Sequence, residues 1–296
     1  DIAYRARERG IKVIDEQLWE KENGRWQLVM KVMVKDGCVT TRELTKAVAG
    51  ALNRRMIPEK DTKTLIGKGV NLYTYEEEPR FQAIYGVARM VKDGAAVSGD
   101  NFSFLEPESG KMVMCLSDGM GSGSLACKES EMVIELVEKF LEAGFDVETA
   151  ARMMNSAMVM KGQEDLFSTV DISELDLYDG TCRFYKIGAA ATFIRRNGIV
   201  ECLISTSLPV GVSYKLDMEK SEKDLYNGDF LVMVSDGVLE YLHVPNPEET
   251  MQEIIESIET NNATILAKRI LERVLLFTGG KAADDMTVLA TAIWEK

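Results

Sequence analysis

The sequence predicts an α/β chain in two parts, a small mixed segment followed by a larger body rich in strands. Three observations carry that reading. Residues 112–116 are five consecutive apolar residues, which suits a buried strand. They lead, through a turn holding Gly119, Gly121 and Gly123, into a helical face of Leu125, Met132, Val133, Leu136, Val137, Phe140 and Leu141. Residues 169–203 read as strand throughout, punctuated by the hairpin pairs Asp179-Gly180 and Asn197-Gly198.

The elements follow in order. Residues 1–25 alternate charge with Ile11, Val13, Ile14 and Leu18, the pattern of a helix or connecting arm. Residues 26–34 are rich in strand formers and end at the turn Asp36-Gly37. Thr40 with Glu43 is a capping-box pattern, and Leu44, Val48, Ala51 and Leu52 then give a helix expected to end near Pro58. A strand over 70–75 runs into Glu76-Glu77-Glu78, read as a solvated turn. The boundary falls there, giving a 1–78 segment and a 79–296 domain. The domain opens with a strand over 81–91, and Asp100 sits at the mouth of the next. Asp146 can cap a second helix with the stripe Val147, Ala150, Ala151, Met154 and Met158, whose methionines suit core packing. An apolar strand over 230–234 ends in Ser235-Asp236-Gly237. Helices over 248–259 and 263–277 follow, then Gly279-Gly280, Asp284-Asp285 and a final strand over 286–294.

Composition excludes several classes. Residues 1–78 carry a balance of +2 and the remainder −15, within a net charge of −13. Such acidity argues against nucleic acid as a partner, and leaves bound metal as the means of attracting phosphate. The longest apolar runs fall short of the roughly 20 residues of a membrane span, so no membrane contact is expected of this stretch, and its setting is expected to be cytoplasmic. The chain starts at Asp1 rather than Met, which points to a piece of a longer protein, with a membrane-anchored parent as one option. Cys38, Cys115, Cys127, Cys182 and Cys202 are odd in number and form no C-x-x-C pair, so they read as reduced residues rather than a zinc site. His243 is the single histidine, which weakens any Ser-His-Asp proposal.

What remains is acid. Asp100, Asp118, Asp236 and the pair Asp284-Asp285 each stand at the end of a buried strand, usually beside glycine. Singly, each is explained by capping or turn formation. Brought together, they could not all stay ionised without compensation. Hard divalent cations supply it, since Mg²⁺ and Mn²⁺ favour carboxylate, carbonyl and water oxygen and need no His or Cys. Two such ions would activate a water and clamp a phosphoryl oxygen.

In this order Gly99-Asp100-Asn101, Ser117-Asp118-Gly119-Met120-Gly121, Ser235-Asp236-Gly237 and Asp284-Asp285-Met286-Thr287 resemble the motif set of the PPM-class metal-dependent serine/threonine phosphatases. The resemblance covers about residues 79–296 and is greatest to the bacterial branch that acts on phosphorylated anti-anti-sigma factors. It implies a PPM-like sandwich of two antiparallel sheets flanked by helices, with two Mn²⁺ or Mg²⁺ ions at one end. It also implies a phosphoserine substrate on an anti-anti-sigma factor, and control of sigma factor activation in sporulation. Asp100 and Asp118 would be the catalytic pair. Asp118 would bridge the ions, the Gly119 carbonyl would hold one, Asp236 and the Asp284-Asp285 pair the other, and Asp100 would orient the attacking water. The family's usual Asp-Asn is Asp284-Asp285 here; aligning the pair directly favours Asp284. The histidine acid and phosphate-binding arginine of larger relatives have no clear counterpart, His243 reading as a surface residue and Arg89 as a weak phosphate candidate. Residues 1–78 would regulate this domain, or serve as a spacer, and homo-oligomerisation stays open.

Two rivals complete the reading. The turn from Gly119 to Gly123 between strand and helix could serve a dinucleotide, but Asp118 would face its pyrophosphate and the spacing is not G-x-G-x-x-G. A non-catalytic binding module would be marked by degenerate aspartates, and here they are intact.

Overall fold

The computed structural model describes residues 1–21, 24–59, 61–107, 110–121, 123–160 and 167–296. These form two compact units, Asp1–Pro79 and Arg80–Lys296. Ser122, in the glycine turn of the sequence, lies outside the described residues.

The first unit contains α1 (Ile2–Arg7), β1 (Ile11–Glu20), β2 (Trp26–Val34), β3 (Val39–Thr40), α2 (Thr41–Leu52), β4 (Met56–Pro58), β5 (Leu65–Ile66) and β6 (Asn71–Glu77). An antiparallel sheet ordered β1-β2-β6-β4 packs Leu28, Met30, Tyr73 and Tyr75 with Leu44 and Val48 of α2. The expected helix or arm over 1–25 is corrected in part: a short helix, α1, opens it, but Ile11–Glu20 form a long strand. Its register slips between Val13 and Asp15 as it pairs with β2, and that bulge breaks the alternation by which a strand is read. The expected helix end near Pro58 is also corrected, because α2 stops at Leu52 with Asn53 in the left-handed conformation (φ 51°). Thr40 makes no side-chain cap, and Glu43 turns to Lys46 at 2.7 Å. Glu76 and Glu77 lie within β6, where Lys21 and Arg54 neutralise them at 2.7 and 2.8 Å, so that stretch is not wholly a turn.

The second unit begins with β7 (Phe81–Met90), β8 (Asp100–Leu105), β9 (Lys111–Gly119), α3 (Ser124–Glu142) and α4 (Val147–Met160). Then come β10 (Ser168–Asp176), β11 (Thr181–Ile187), β12 (Thr192–Arg196), β13 (Ile199–Leu203) and β14 (Glu219–Asp224). It closes with β15 (Phe230–Val234), α5 (Asp236–Glu240), α6 (Pro247–Glu256), α7 (Ala263–Phe277) and β16 (Met286–Glu295). Two five-stranded antiparallel sheets result, ordered β14-β11-β10-β9-β8 and β13-β12-β15-β16-β7. Asn197-Gly198 makes the expected two-residue hairpin, both residues at positive φ (50° and 82°). The β10–β11 turn is longer, spanning residues 177–180, because β10 stops at Asp176.

Alternation along β9 assigns the layers. Met112, Met114 and Leu116 point between the sheets onto Leu231, Met233 and Leu289. Val113 and Cys115 point outward under Val133 and Val137 of α3 and Ala150 and Met154 of α4. Phe230, Val232 and Val234 are covered in the same way by Leu266, Ile270 and Val274 of α7. Strands β9 and β15, both interior to their sheets, are thus apolar on both faces, which is why their sequences are continuous runs rather than alternations. Each side chain so buried contributes roughly 1.5–3 kcal/mol.

The long loop 204–218 is held on α4 by Asn155, whose amide donates to Ser213 O at 2.9 Å and whose Oδ1 accepts from Gly211 N at 3.0 Å. Asn155 is buried, so Asn155→Leu should cost about 1–3 kcal/mol and speed exchange of the Gly211 amide. Urea unfolding and hydrogen exchange of the two proteins check this; equal midpoints would show the loop is held by other means.

Candidate active site

Pairing of β8 with β9 sets Asp100 opposite Asp118. Strand β15 delivers Ser235 and then Asp236, the first residue of α5. The neighbouring β16 is preceded by Asp284 and Asp285, and the two segments are stitched by Ser235 N donating to Thr287 O (3.0 Å) and Thr287 N donating to Ser235 Oγ (2.9 Å). Antiparallel order therefore gathers all four acidic stretches at one end of the sandwich, two from each sheet.

Glycine permits the gathering. A Cβ on Gly119 would stand 2.1 Å from Ala126 O, and one on Gly237 would stand 2.2 Å from Asp285 O. The first allows α3 to lie against the end of β9; the second seats α5 on the Asp284-Asp285 segment. Both positions require the absence of a side chain, so packing explains these glycines as fully as any ligand role for the Gly119 carbonyl.

The acids differ in their surroundings. Asp100 is fully buried, and neither carboxylate oxygen has a hydrogen-bond partner among the described residues. Burial pushes its pKa up, reinforced by the charges of Asp236 and Asp285 and only partly offset by the nearby Thr287 and Ser235 hydroxyls, whose geometry falls short of hydrogen bonds. Asp118 is driven up further, first by burial and then by its contact with Asp236 and the charge of Asp100. Asp285 is buried and its carboxylate is engaged, accepting from Gly99 N at 2.7 Å and Lys92 N at 2.9 Å. Asp284 is partly exposed; its Oδ1 accepts from Asp285 N at 2.9 Å and lies 3.8 Å from Lys92 Nζ.

A cleft of about 270 Å³ opens over this cluster, lined by Asp118, Gly119, Asp236, Asp284, Lys92 and Pro209 among others. Asp100 lies behind Asp118 and Asp285 behind Asp284; neither lines the cleft. Lys92 was not singled out by sequence, since it stands in an ordinary Lys-Asp-Gly turn after β7. Arg89 is turned elsewhere, donating to Asp100 O at 2.6 Å and lying over the Phe102 ring. His243 is an exposed residue following α5. Among the described residues no three His, Cys, Asp or Glu side chains are arranged to hold an ion by themselves. Mg²⁺ does not ask for that, since it keeps several waters and binds through one or two carboxylates. The unpartnered Asp100 oxygens and mutually repelling carboxyls fit a site completed by a hard cation.

The dinucleotide alternative is not favoured, for a geometric reason. Strand β9 is antiparallel to both neighbours, β8 and β10, whereas the dinucleotide turn belongs to a parallel βαβ unit.

Two antiparallel sheets, helices outside and an acidic mouth define the PPM, or PP2C, class of metal-dependent phosphatase domains. Residues 108–293 match the family profile of Stage II sporulation protein E (SpoIIE), and the chain belongs to that family. The Stage II sporulation protein E of Bacillus subtilis is 29% identical over 285 residues, 96% of this chain and 34% of that protein. The chain thus spans about a third of that relative's length. A solved structure of the PP2C phosphatase domain and a fragment of the regulatory domain of SpoIIE from Bacillus subtilis superposes with a TM-score of 0.77. It is 27% identical, and the match covers 100% of this chain and 86% of that one. Phosphoserine phosphatase RsbX of Bacillus subtilis is 35% identical over 86 residues, 29% of this chain and 41% of that protein.

Asp285 and Asp284 should separate in hydrogen exchange. Removing an acceptor charged like Asp285 is worth about 1.5–3 kcal/mol, so Asp285→Ala should speed exchange at the Lys92 and Gly99 amides roughly ten- to a hundred-fold. Asp284→Ala should leave those two amides unchanged and release the Asp285 amide instead. Equal effects of the two variants would contradict the division of labour.

Proposed function

We propose that this chain is a metal-dependent protein serine phosphatase that acts on a phosphorylated anti-anti-sigma factor and so controls sigma factor activation in sporulation. The observation that carries the reading is the meeting of Asp118, Asp236 and Asp284 in one cleft, with Asp100 buried and unpartnered behind them. RsbX, by its name a phosphoserine phosphatase, supports the substrate class, and the SpoIIE family supports the sporulation setting.

Asp118, Asp236 and Asp284, with the Gly119 carbonyl, are the groups to hold Mg²⁺ or Mn²⁺, and Asp285 supports Asp284 from behind. When bound, such ions supply a hydroxide nucleophile at neutral pH and Lewis acidity toward phosphoryl oxygens. Asp100 acts through Asp118, adding negative charge where it cannot be solvated and so raising the demand for a cation. Lys92, at the rim, faces the phosphate as a flexible point charge. Ser168 and Thr169 also line the cleft but are committed, Ser168 Oγ donating to Asp118 O at 2.8 Å and Thr169 Oγ1 accepting from Asp118 N at 3.3 Å. No Cys or His lines the cleft among the described residues, and aspartates engaged in holding a cation are not free to attack, so water is taken as the nucleophile, without a phosphoenzyme.

Residues 1–79 are read as a regulatory unit. They hold none of the four acidic stretches, and the related structure pairs its phosphatase domain with a regulatory-domain fragment. Regulation of this kind needs two states that differ in affinity for metal or substrate.

Asp118→Asn and Asp236→Asn should each lower kcat at least a hundred-fold at saturating Mn²⁺ without unfolding the chain. A chelator should abolish activity, and rapid quench with labelled phosphoprotein should leave the enzyme unlabelled; a turnover-competent phosphoenzyme would overturn the mechanism. Because the folded chain holds the Asp118 proton more tightly than the unfolded chain, metal-free stability should fall as pH rises above the ordinary carboxylate range. Asp118→Asn should therefore be at least as stable as the parent in chelator at pH 7, with the difference shrinking toward acid pH. For the regulatory reading, residues 80–296 should differ several-fold from the full chain in kcat/KM or in the Mn²⁺ concentration for half-maximal rate. Matching values would leave a spacer.

A further inference from the structure

One buried ionic cluster is left unused by this mechanism. Lys186 on β11 and Asp171 on β10 are both nearly inaccessible, their side chains 4% and 3% exposed, and lie 2.5 Å apart. Thr192, at the start of β12 and fully buried, donates to Asp171 Oδ2 at 2.5 Å and accepts from Lys186 Nζ at 2.8 Å. Asp171 Oδ1 has no partner among the described residues. Among the ion pairs of the described residues this is the one in which both partners are buried.

Its place in the fold gives it meaning. On β10, Thr169 pairs with Asp118, and Asp171, two residues further, pairs with Leu116 on one side and Lys186 on the other. The ion pair therefore lies one row beneath Asp118 on the same face, a diagonal neighbour at about 7–8 Å. Thr192 belongs to the opposite sheet, where it pairs with Met233 of β15, three residues before Asp236. Asp118 comes from one sheet and Asp236 from the other, and the cluster bolts the two sheets together directly below them. Ser207 extends the bolt by donating to Lys186 O and accepting from Gly188 N, both at 3.0 Å, which holds the loop carrying Pro209 to the cleft wall.

We propose that Lys186, Asp171 and Thr192 are positioning residues that fix the separation of Asp118 from Asp236 and thereby set the affinity of the acid cluster for a divalent cation. The inference rests on the metal reading above. Stability alone does not account for the cluster well, because a buried ion pair is often replaced by apolar residues at no cost, whereas loss of one partner is costly. A hydrogen-bonded pair fixes both distance and direction, the specifying role that buried ionic groups serve in some proteins.

The test uses the full chain and Mn²⁺ alone as probe. Two variants are compared with the parent: Thr192→Val, which cuts the bond between sheets, and Lys186→Met/Asp171→Leu/Thr192→Val, which replaces the cluster with apolar residues. Titration calorimetry should show Mn²⁺ binding at least five-fold weaker in each folded variant, and the rise in Tm on adding Mn²⁺ should shrink, even where the metal-free Tm matches the parent. Variants that bind Mn²⁺ within two-fold of the parent would overturn the proposal. Coupling is reciprocal, so in the unmodified chain Mn²⁺ should slow amide exchange across residues 186–192 as well as at the acidic stretches. Protection confined to the acidic stretches would overturn the proposal even if neither variant folds. If the parent itself takes up no Mn²⁺, the metal reading fails, and this inference with it.

Discussion

Asp100 and Asp118 lie opposite each other on paired antiparallel strands, and that adjacency of two carboxylates in a water-poor place conditions the rest of the domain. Asp100 is shut off from solvent, Asp118 is largely so at the floor of the cleft, and each raises the cost of ionising the other. Only strong outside forces hold such a pair in place, and they come from packing. Strand β9 is apolar on both faces, with helices on one side and the second sheet on the other. The core supplies the free energy and the mouth consumes part of it.

The same logic explains why the stitching around the site joins short, buried acceptors to backbone amides. Asp285 takes the amides of Lys92 and Gly99, and Ser235 and Thr287 close a pair of bonds between β15 and β16. Bonds of this kind fix the ends of strands without adding mobile side chains to the cleft. They leave Asp118, Asp236 and Asp284 as the acids that line it. An electrostatically frustrated surface is thus held on rigid elements, the arrangement that pre-organised sites require.

Sequence and structure agree where pattern has a single physical cause. Continuous apolar runs at 112–116 and 230–234 can only be strands covered on both faces or short buried helices, and flanking glycine decides for strands. Asn197-Gly198 needs positive φ twice, which few other pairs tolerate. Helix α7 falls at residues 263–277 because its apolar stripe is unbroken and Asn262 caps it, accepting from Ile265 N. The misreadings have causes as definite. Strand β1 is mostly exposed and bulged, so it carries neither a buried face nor a clean period. Strand β14 is an exposed edge with the sequence of a charged loop, Glu-Lys-Ser-Glu-Lys-Asp, and nothing local marks it. Of the site, the acids were legible through repetition of one motif at four strand ends. Lys92 was not, because a lysine in a turn acquires its role only when β16 folds back beside β7.

The pair Asp284-Asp285 shows what a sequence leaves open and backbone geometry divides. Two identical carboxyls in succession are chemically alike, and alignment to the family's Asp-Asn favours Asp284 without giving a physical reason; adjacent residues in an extended segment simply point opposite ways. Here the direction of β16 turns Asp285 inward, where amides from the 92–99 segment occupy its oxygens, and turns Asp284 toward the cleft and Lys92. A carboxylate whose two oxygens each hold an amide donor has little left to offer a cation; Asp284 has one oxygen on the Asp285 amide and near Lys92, and keeps the other for the cleft. An asparagine at position 285 would keep an acceptor oxygen and lose the charge, so the amides could still be received in part. The family's Asp-Asn and the Asp-Asp found here are therefore two solutions to the same backbone problem, differing by one negative charge behind the cleft rather than in it.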